Sequence, residues 1–123
     1  MASHEAAHVL CEVTVTPHNK YIALSSYPIY IGKHLLTDAY LFSSFVLGSQ
    51  VMIVSNETVA PLYLQQLQDA LKNKQCDVVI LPDGEAYKTQ SSIDKIHEAL
   101  LHCGHTRQST IMALGGGVIG DMA

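Results

Sequence analysis

Three short apolar runs, Val51-Met52-Ile53-Val54, Val78-Val79-Ile80-Leu81 and Thr110-Ile111-Met112-Ala113-Leu114, are separated by two stretches of helical period, and this alternation constrains the fold more than any other feature. A continuous apolar run of this length is the pattern of a strand covered on both faces. After the first run, Ser55-Asn56-Glu57-Thr58 offers several helix N-caps, and Pro61 is tolerable only in a first turn. Val59, Leu62, Tyr63, Leu67, Ala70 and Leu71 then recur at helical spacing, which predicts a helix of about four turns. Pro82 stops the second run. Beyond the polar loop 83–89, Ile93, Ile96, His97, Leu100 and Leu101 mark a second amphipathic helix, with His97 read as a partly buried core residue and Gly104 as the terminator. The order is therefore β-α-β-α-β. Strands joined by helices of this length must be parallel, with right-handed crossovers, so the prediction is an α/β fold, a three-layer sandwich with a mainly parallel sheet.

Upstream the pattern weakens. Residues 1–20 read as a poorly defined extension or edge strand, with brief alternation at Val13-Thr14-Val15-Thr16 broken by Pro17. Tyr21-Ile22-Ala23-Leu24 and Tyr27-Pro28-Ile29-Tyr30-Ile31 are β-prone and predict a hairpin or two adjoining strands, and a short helix is expected around Leu35 to Leu41. Residues 21–123 are thus expected to form one α/β domain.

Composition excludes some functions. With 7 Lys+Arg against 11 Asp+Glu, the net charge of −4 leaves no spare cations for a row of phosphates, so neither nucleic acid nor an acidic membrane is expected as a partner. No segment has the features of a signal peptide or the ~20 apolar residues of a membrane span. Cys11, Cys76 and Cys103 are odd in number and far apart, which fits reduced thiols and a cytoplasmic protein.

In parallel sheets ligands bind beyond the carboxyl ends of the strands. The segments leaving those ends here are Ser55 to Thr58, Asp83 to Lys88 and Gly115 to Asp121, and they converge on one rim. Gly115-Gly116-Gly117-Val118-Ile119-Gly120 satisfies G-x-G-x-x-G directly after a strand, where glycines admit a pyrophosphate and a helix starting near Val118 would aim N–H groups at it. The same glycines would also serve close strand-to-helix packing. Asp83-Gly84-Glu85-Ala86-Tyr87-Lys88 could grip ribose hydroxyls through its acids and a phosphate through Lys88, or be a solvated turn. Asn56 could cap the helix or bond an adenosine. His102, Cys103 and His105 surround a helix C-terminus; as metal ligands they would need help from elsewhere, and a dipole interaction explains a His there equally well.

Together these segments resemble the N-terminal, NAD-binding part of the 3-dehydroquinate synthase family. The resembling stretches are Tyr27-Pro-Ile-Tyr-Ile-Gly32, Val54-Ser-Asn-Glu-Thr-Val-Ala-Pro-Leu-Tyr-Leu64, Val79-Ile-Leu-Pro-Asp-Gly-Glu-Ala-Tyr-Lys-Thr89 and Ser109-Thr-Ile-Met-Ala-Leu-Gly-Gly-Gly-Val-Ile-Gly-Asp121, in the family's order. The resemblance implies a Rossmann-like fold, incomplete at its C-terminal side. It also implies a cyclase that turns 3-deoxy-arabino-heptulosonate 7-phosphate into 3-dehydroquinate and phosphate, a step of the shikimate pathway toward aromatic amino acids, with NAD used catalytically. The implied cofactor-binding residues are Asn56, Asp83, Gly84, Glu85, Ala86, Tyr87, Lys88, Gly116, Gly117, Val118, Ile119, Gly120 and Asp121, with Glu85 and Lys88 the main direct contacts. No catalytic residue and no metal ligand is expected in this chain, because the family's divalent metal, zinc or cobalt, and most of its substrate contacts belong to later segments. The chain alone is therefore expected to be inactive, and its unpaired sheet edge predicts a homodimer or other self-association. The alternatives are another sugar-phosphate cyclase or polyol dehydrogenase of the same superfamily, and a non-catalytic nucleotide-binding module.

Overall fold

The structure is a computed structural model that describes residues 8–16 and 26–123. Among the described residues, five strands and four α-helices follow in the order β1 (His8–Val15), β2 (Tyr27–Lys33), α1 (Ala39–Ser43), β3 (Gln50–Asn56), α2 (Ala60–Ala70), β4 (Gln75–Leu81), α3 (Gln90–His102), β5 (Thr110–Leu114) and α4 (Gly117–Met122). Strands β4, β3 and β5 make a parallel sheet with β3 in the centre, and Ile53 of β3 stands between Val78 and Met112. This is the α/β architecture that the alternation requires.

The centre strand explains the layers. Val51, Met52, Ile53 and Val54 have no exposed surface, and their side chains alternate between two cores. Val51 and Ile53 pack with Val46, Leu67, Leu71 and Leu114, on the side of α2. Met52 and Val54 pack with Leu81, Ile96, Ile119 and Met122, on the side of α3 and α4. A strand whose central run, Val51 to Val54, is apolar at every position needs a helix on each face, and the chain supplies them.

The helices differ in detail from the periodic reading. Helix α2 has 11 residues, about three turns, and its buried line is Ala60, Leu67 and Leu71, with Leu64 partly buried. Leu62 and Tyr63 are exposed instead, at 62% and 45%. Pro61 in the first turn and the Asn56 side chain, which accepts from the N–H groups of Thr58 (3.0 Å) and Val59 (2.8 Å), set the entry and hence the rotation of the helix. In α3, Ile96 and Ser92 are buried, whereas His97 and Leu101 face solvent, so His97 is a surface residue and not a core one. Spacing alone admitted both, since His97 follows buried Ile96 and Leu101 follows half-buried Leu100. Gly104, at φ +69°, ends α3 as expected, with His105 N–H reaching back to Leu100 C=O at 3.0 Å.

Strand β1 lies within the segment read as an extension and pairs antiparallel with β2, Val13 opposite Ile29. The other β-prone stretch, Tyr21 to Leu24, is outside the described residues, as are His4 and His18. The expected helix near Leu35 divides into a 3₁₀ turn at Leu35–Thr37 and the short α1, because Asp38 starts a new helix by accepting from Leu41 N–H at 3.1 Å. Tyr30 meets Phe45 edge to face at 6.1 Å and so docks the ribbon on the segment after α1.

At the sheet end opposite the rim, Asp77 accepts from His105 Nε2 at 2.7 Å and from Gln75 Nε2 at 3.1 Å. The His105 ring is 1% exposed, and its Nδ1 is buried without a partner. The hydrogen bond from His105 holds the Asp77 carboxyl below the usual carboxylate range against the opposing effect of burial. A depressed acid contributes stability that is complete above its unfolded pKa, ~3.9, and that disappears as pH falls through the lower folded value. Asp77→Asn is accordingly expected to lower the urea midpoint at pH 7, with the gap to wild type closing below about pH 4. A gap independent of pH would sink this account.

Candidate functional site

The carboxyl ends of β3, β4 and β5 lead into three segments that touch one another. Asn56, last in β3, accepts at Oδ1 from the Thr58 and Val59 N–H groups before α2 and donates from Nδ2 to Asp83 Oδ1 at 3.3 Å. Thr58 Oγ1 donates to Asp83 Oδ2 at 2.7 Å. Each carboxylate oxygen of Asp83 thus already holds one protein donor.

Pro82 ends β4, and Gly84 follows at φ 116° and ψ 154°, a backbone conformation that a side chain would strain. Glu85, Ala86 and Tyr87 then form one 3₁₀ turn, closed by Tyr87 N–H to Gly84 C=O and Lys88 N–H to Glu85 C=O, both at 3.1 Å. Buried Ser92 secures the far end by donating to the Tyr87 carbonyl at 2.7 Å, and Thr89 caps α3. The turn is therefore tied at both ends while Glu85, Ala86, Tyr87 and Lys88 remain exposed.

The glycine segment is the third side. A Cβ on Gly115 would lie 3.1 Å from Ile119 Cγ1, so this glycine serves the close packing of α4 on the sheet. A Cβ on Gly116, Gly117 or Gly120 would meet nothing within 4 Å, so these three leave open space. Ile119 is buried and Val118 partly so, and the first N–H groups of a helix have no intrahelical acceptor. Of the two readings of the glycine run, close packing applies at Gly115, while Gly116, Gly117 and Gly120 border open space. Asp121 projects outward and pairs with Lys88 Nζ at 2.8 Å, while Glu85 Oε1 lies 3.9 Å from the same ammonium. The Asp121 bond raises the Lys88 pKa above the usual lysine value, so the ammonium stays charged.

The structure thus brings Asn56, Asp83 to Lys88 and Gly116 to Asp121 onto one rim. Ser92 escaped the sequence reading as part of it, and Thr58, placed there only as a residue of the rim segment and a candidate cap, turns its hydroxyl to Asp83. Elsewhere, Asp77 takes up His105, while burial, followed by the Asp77 charge, pushes the Cys76 and Cys103 thiols up, which disfavours metal-ligating thiolates. Among the described residues no three His, Cys, Asp or Glu side chains come together as a metal centre, and no helix is long and apolar enough to cross a membrane.

Comparison with known proteins follows the same segments. A solved structure of 2-deoxy-scyllo-inosose synthase superposes with a TM-score of 0.70 over 80% of this chain and 28% of the other, at 22% identity. A second, complexed with carbaglucose-6-phosphate, NAD+ and Co2+, gives a TM-score of 0.69. The Rossmann-like fold, with a glycine-rich rim at the sheet's carboxyl end, is thus shared with 2-deoxy-scyllo-inosose synthase. The family model described as 3-dehydroquinate synthase N-terminal matches residues 78–123. The 3-dehydroquinate synthase of Pseudomonas aeruginosa (strain LESB58) is 55% identical over 98 residues, 80% of this chain, and that of Legionella pneumophila (strain Lens) 54% identical over 97. By sequence, then, the chain is similar to the N-terminal part of the 3-dehydroquinate synthases. It spans 27% and 26% of the length of these two curated relatives.

Proposed function

We propose that this chain forms the NAD-binding portion of a 3-dehydroquinate synthase, the lyase that converts 3-deoxy-arabino-heptulosonate 7-phosphate to 3-dehydroquinate and phosphate in the shikimate pathway. The observation that carries the reading is the junction at the rim: Asp83 to Lys88 and Gly115 to Asp121, both within the family match, are joined by Lys88 and Asp121 at 2.8 Å. The open space over Gly116, Gly117 and Gly120 fits the close approach of a pyrophosphate, and a first-turn set of N–H groups suits its charge. The net charge of −4 is no obstacle, since backbone donors and Lys88 suffice for one dinucleotide.

NAD, when bound, supplies reversible oxidation of a secondary alcohol of the substrate, which acidifies the neighbouring C–H and makes loss of phosphate accessible. In this reading Gly116 to Ile119 hold the pyrophosphate through backbone N–H groups, and Lys88 gives a charged donor at the junction of the two motifs. Glu85 offers its carboxylate to ribose hydroxyls. Asn56 and Asp83 line the adenosine side, and Asp121 stands toward the nicotinamide side while orienting Lys88. The divalent metal, zinc or cobalt, and the groups that move protons on the substrate come from segments outside this chain. The three free cysteines support a reducing, cytoplasmic setting.

The product of the complete reading frame, given substrate, NAD and zinc or cobalt, is expected to release phosphate and form 3-dehydroquinate, whereas the purified 123-residue chain forms none. No product from the former would overturn the reading. Product from the 123-residue chain would overturn the assignment of metal and substrate chemistry to later segments.

A further inference from the structure

We propose that Thr58 is a positioning residue for the dinucleotide site: through Asp83, its hydroxyl holds the Gly84–Lys88 turn in the conformation that receives the ligand. The inference rests on the NAD reading for the identity of the ligand, and on geometry alone for the clamp.

Thr58 belongs to the connection between β3 and α2, and Asp83 lies 25 residues later. Asn56 fixes where Thr58 sits, because its Oδ1 accepts from Thr58 N–H at 3.0 Å and Val59 N–H at 2.8 Å. The Glu57 N–H bonds the Leu81 carbonyl at 3.0 Å, which brings the connection against the end of β4. The Thr58 hydroxyl and the Asn56 amide then occupy one oxygen each of Asp83, at 2.7 and 3.3 Å. Immediately beyond Asp83, Gly84 at φ 116° is the hinge at which the turn would otherwise swing. Ser92 holds the turn's other end through the Tyr87 carbonyl, so Asp83 is the anchor at the hinge side. A hydrogen bond between a hydroxyl and a carboxylate at 2.7 Å is charge-assisted and is the shorter of the two on Asp83. Asp83 therefore acts mainly by holding the backbone that carries Glu85 and Lys88.

Thr58 is exposed, so its replacement leaves both cores intact. Thr58→Val keeps the shape and removes the donor, and Thr58→Ser restores the donor without the methyl group. In the product of the complete reading frame, Thr58→Val is expected to weaken NAD+ binding by roughly tenfold in calorimetric titration, the effect of losing one bond to a charged group. Thr58→Ser is expected to return affinity to within about twofold of wild type. Hydrogen exchange at the Tyr87 and Lys88 amides, whose acceptors lie within the turn, should quicken in Thr58→Val and recover in Thr58→Ser. Wild-type affinity and exchange in Thr58→Val would overturn the proposal, and so would a loss that serine fails to rescue. If the wild-type protein binds no NAD+, the functional reading fails, and the exchange measurement still decides whether Thr58 holds the turn.

Discussion

Replacing Ile53 by alanine is expected to destabilise the fold by about 2–5 kcal/mol, the usual cost of emptying a closed core position. Ile53 has no exposed surface, occupies the centre of the centre strand and packs with Val46, Leu67, Leu71 and Leu114. Backbone neighbours on both sides, Val78 and Met112, are held by the parallel ladders and cannot close over the space left behind. A domain of ordinary stability has roughly 5–15 kcal/mol to lose, so the urea midpoint should drop by a large fraction. The slope of the transition should stay nearly unchanged. Leu101→Ala is the matching control: that side chain is 81% exposed, and its loss should stay within about 0.5 kcal/mol. Equal shifts from the two substitutions would mean that β3 is not the centre of the sheet.

Lys88→Met should act on binding and leave folding nearly untouched. The ammonium is held over the rim by Asp121 at 2.8 Å and kept charged by it, and methionine keeps the apolar stem while removing the donors. Loss of a charged hydrogen bond to a phosphate corresponds to roughly 10- to 100-fold in affinity. A titration of NAD+ into the complete protein should show that loss, together with a weaker salt dependence. An exposed ion pair contributes little to folding, so the unfolding midpoint should hardly move. Unchanged affinity would remove Lys88 from the site, while a large loss of stability would recast it as a structural tie between α4 and the turn before α3.

Much of this was legible because burial on two faces leaves a strong trace in a sequence. Val51 to Val54 could only be a covered strand, and its helices, parallel partners and common rim followed from chain connectivity. Gly84 and Gly104 were likewise readable, since positive φ favours glycine. The helix faces were less legible. Leu62, Tyr63, His97 and Leu101 have the right spacing and the wrong rotation, because a helix is turned by its cap and its neighbours as well as by its apolar residues. Strand β1 was harder still, for an edge strand with both polar and apolar residues has little periodicity of its own, and its pairing with β2 is a nonlocal choice.

By itself the sequence determined the α/β layering, the rim and the kinds of groups on it, since those depend on periodicity, turn chemistry and chain order. Only the tertiary structure decided how the groups are spent. It divides the glycines between packing, at Gly115, and open space, at Gly116, Gly117 and Gly120. It sends Asp83 to Thr58 and Asn56, Lys88 to Asp121, and His105 to Asp77. Each of these pairings joins residues 25 or more positions apart. A hydrogen bond is decided within a few tenths of an ångström, and at such separations that precision comes only from the packed sheet that carries both partners.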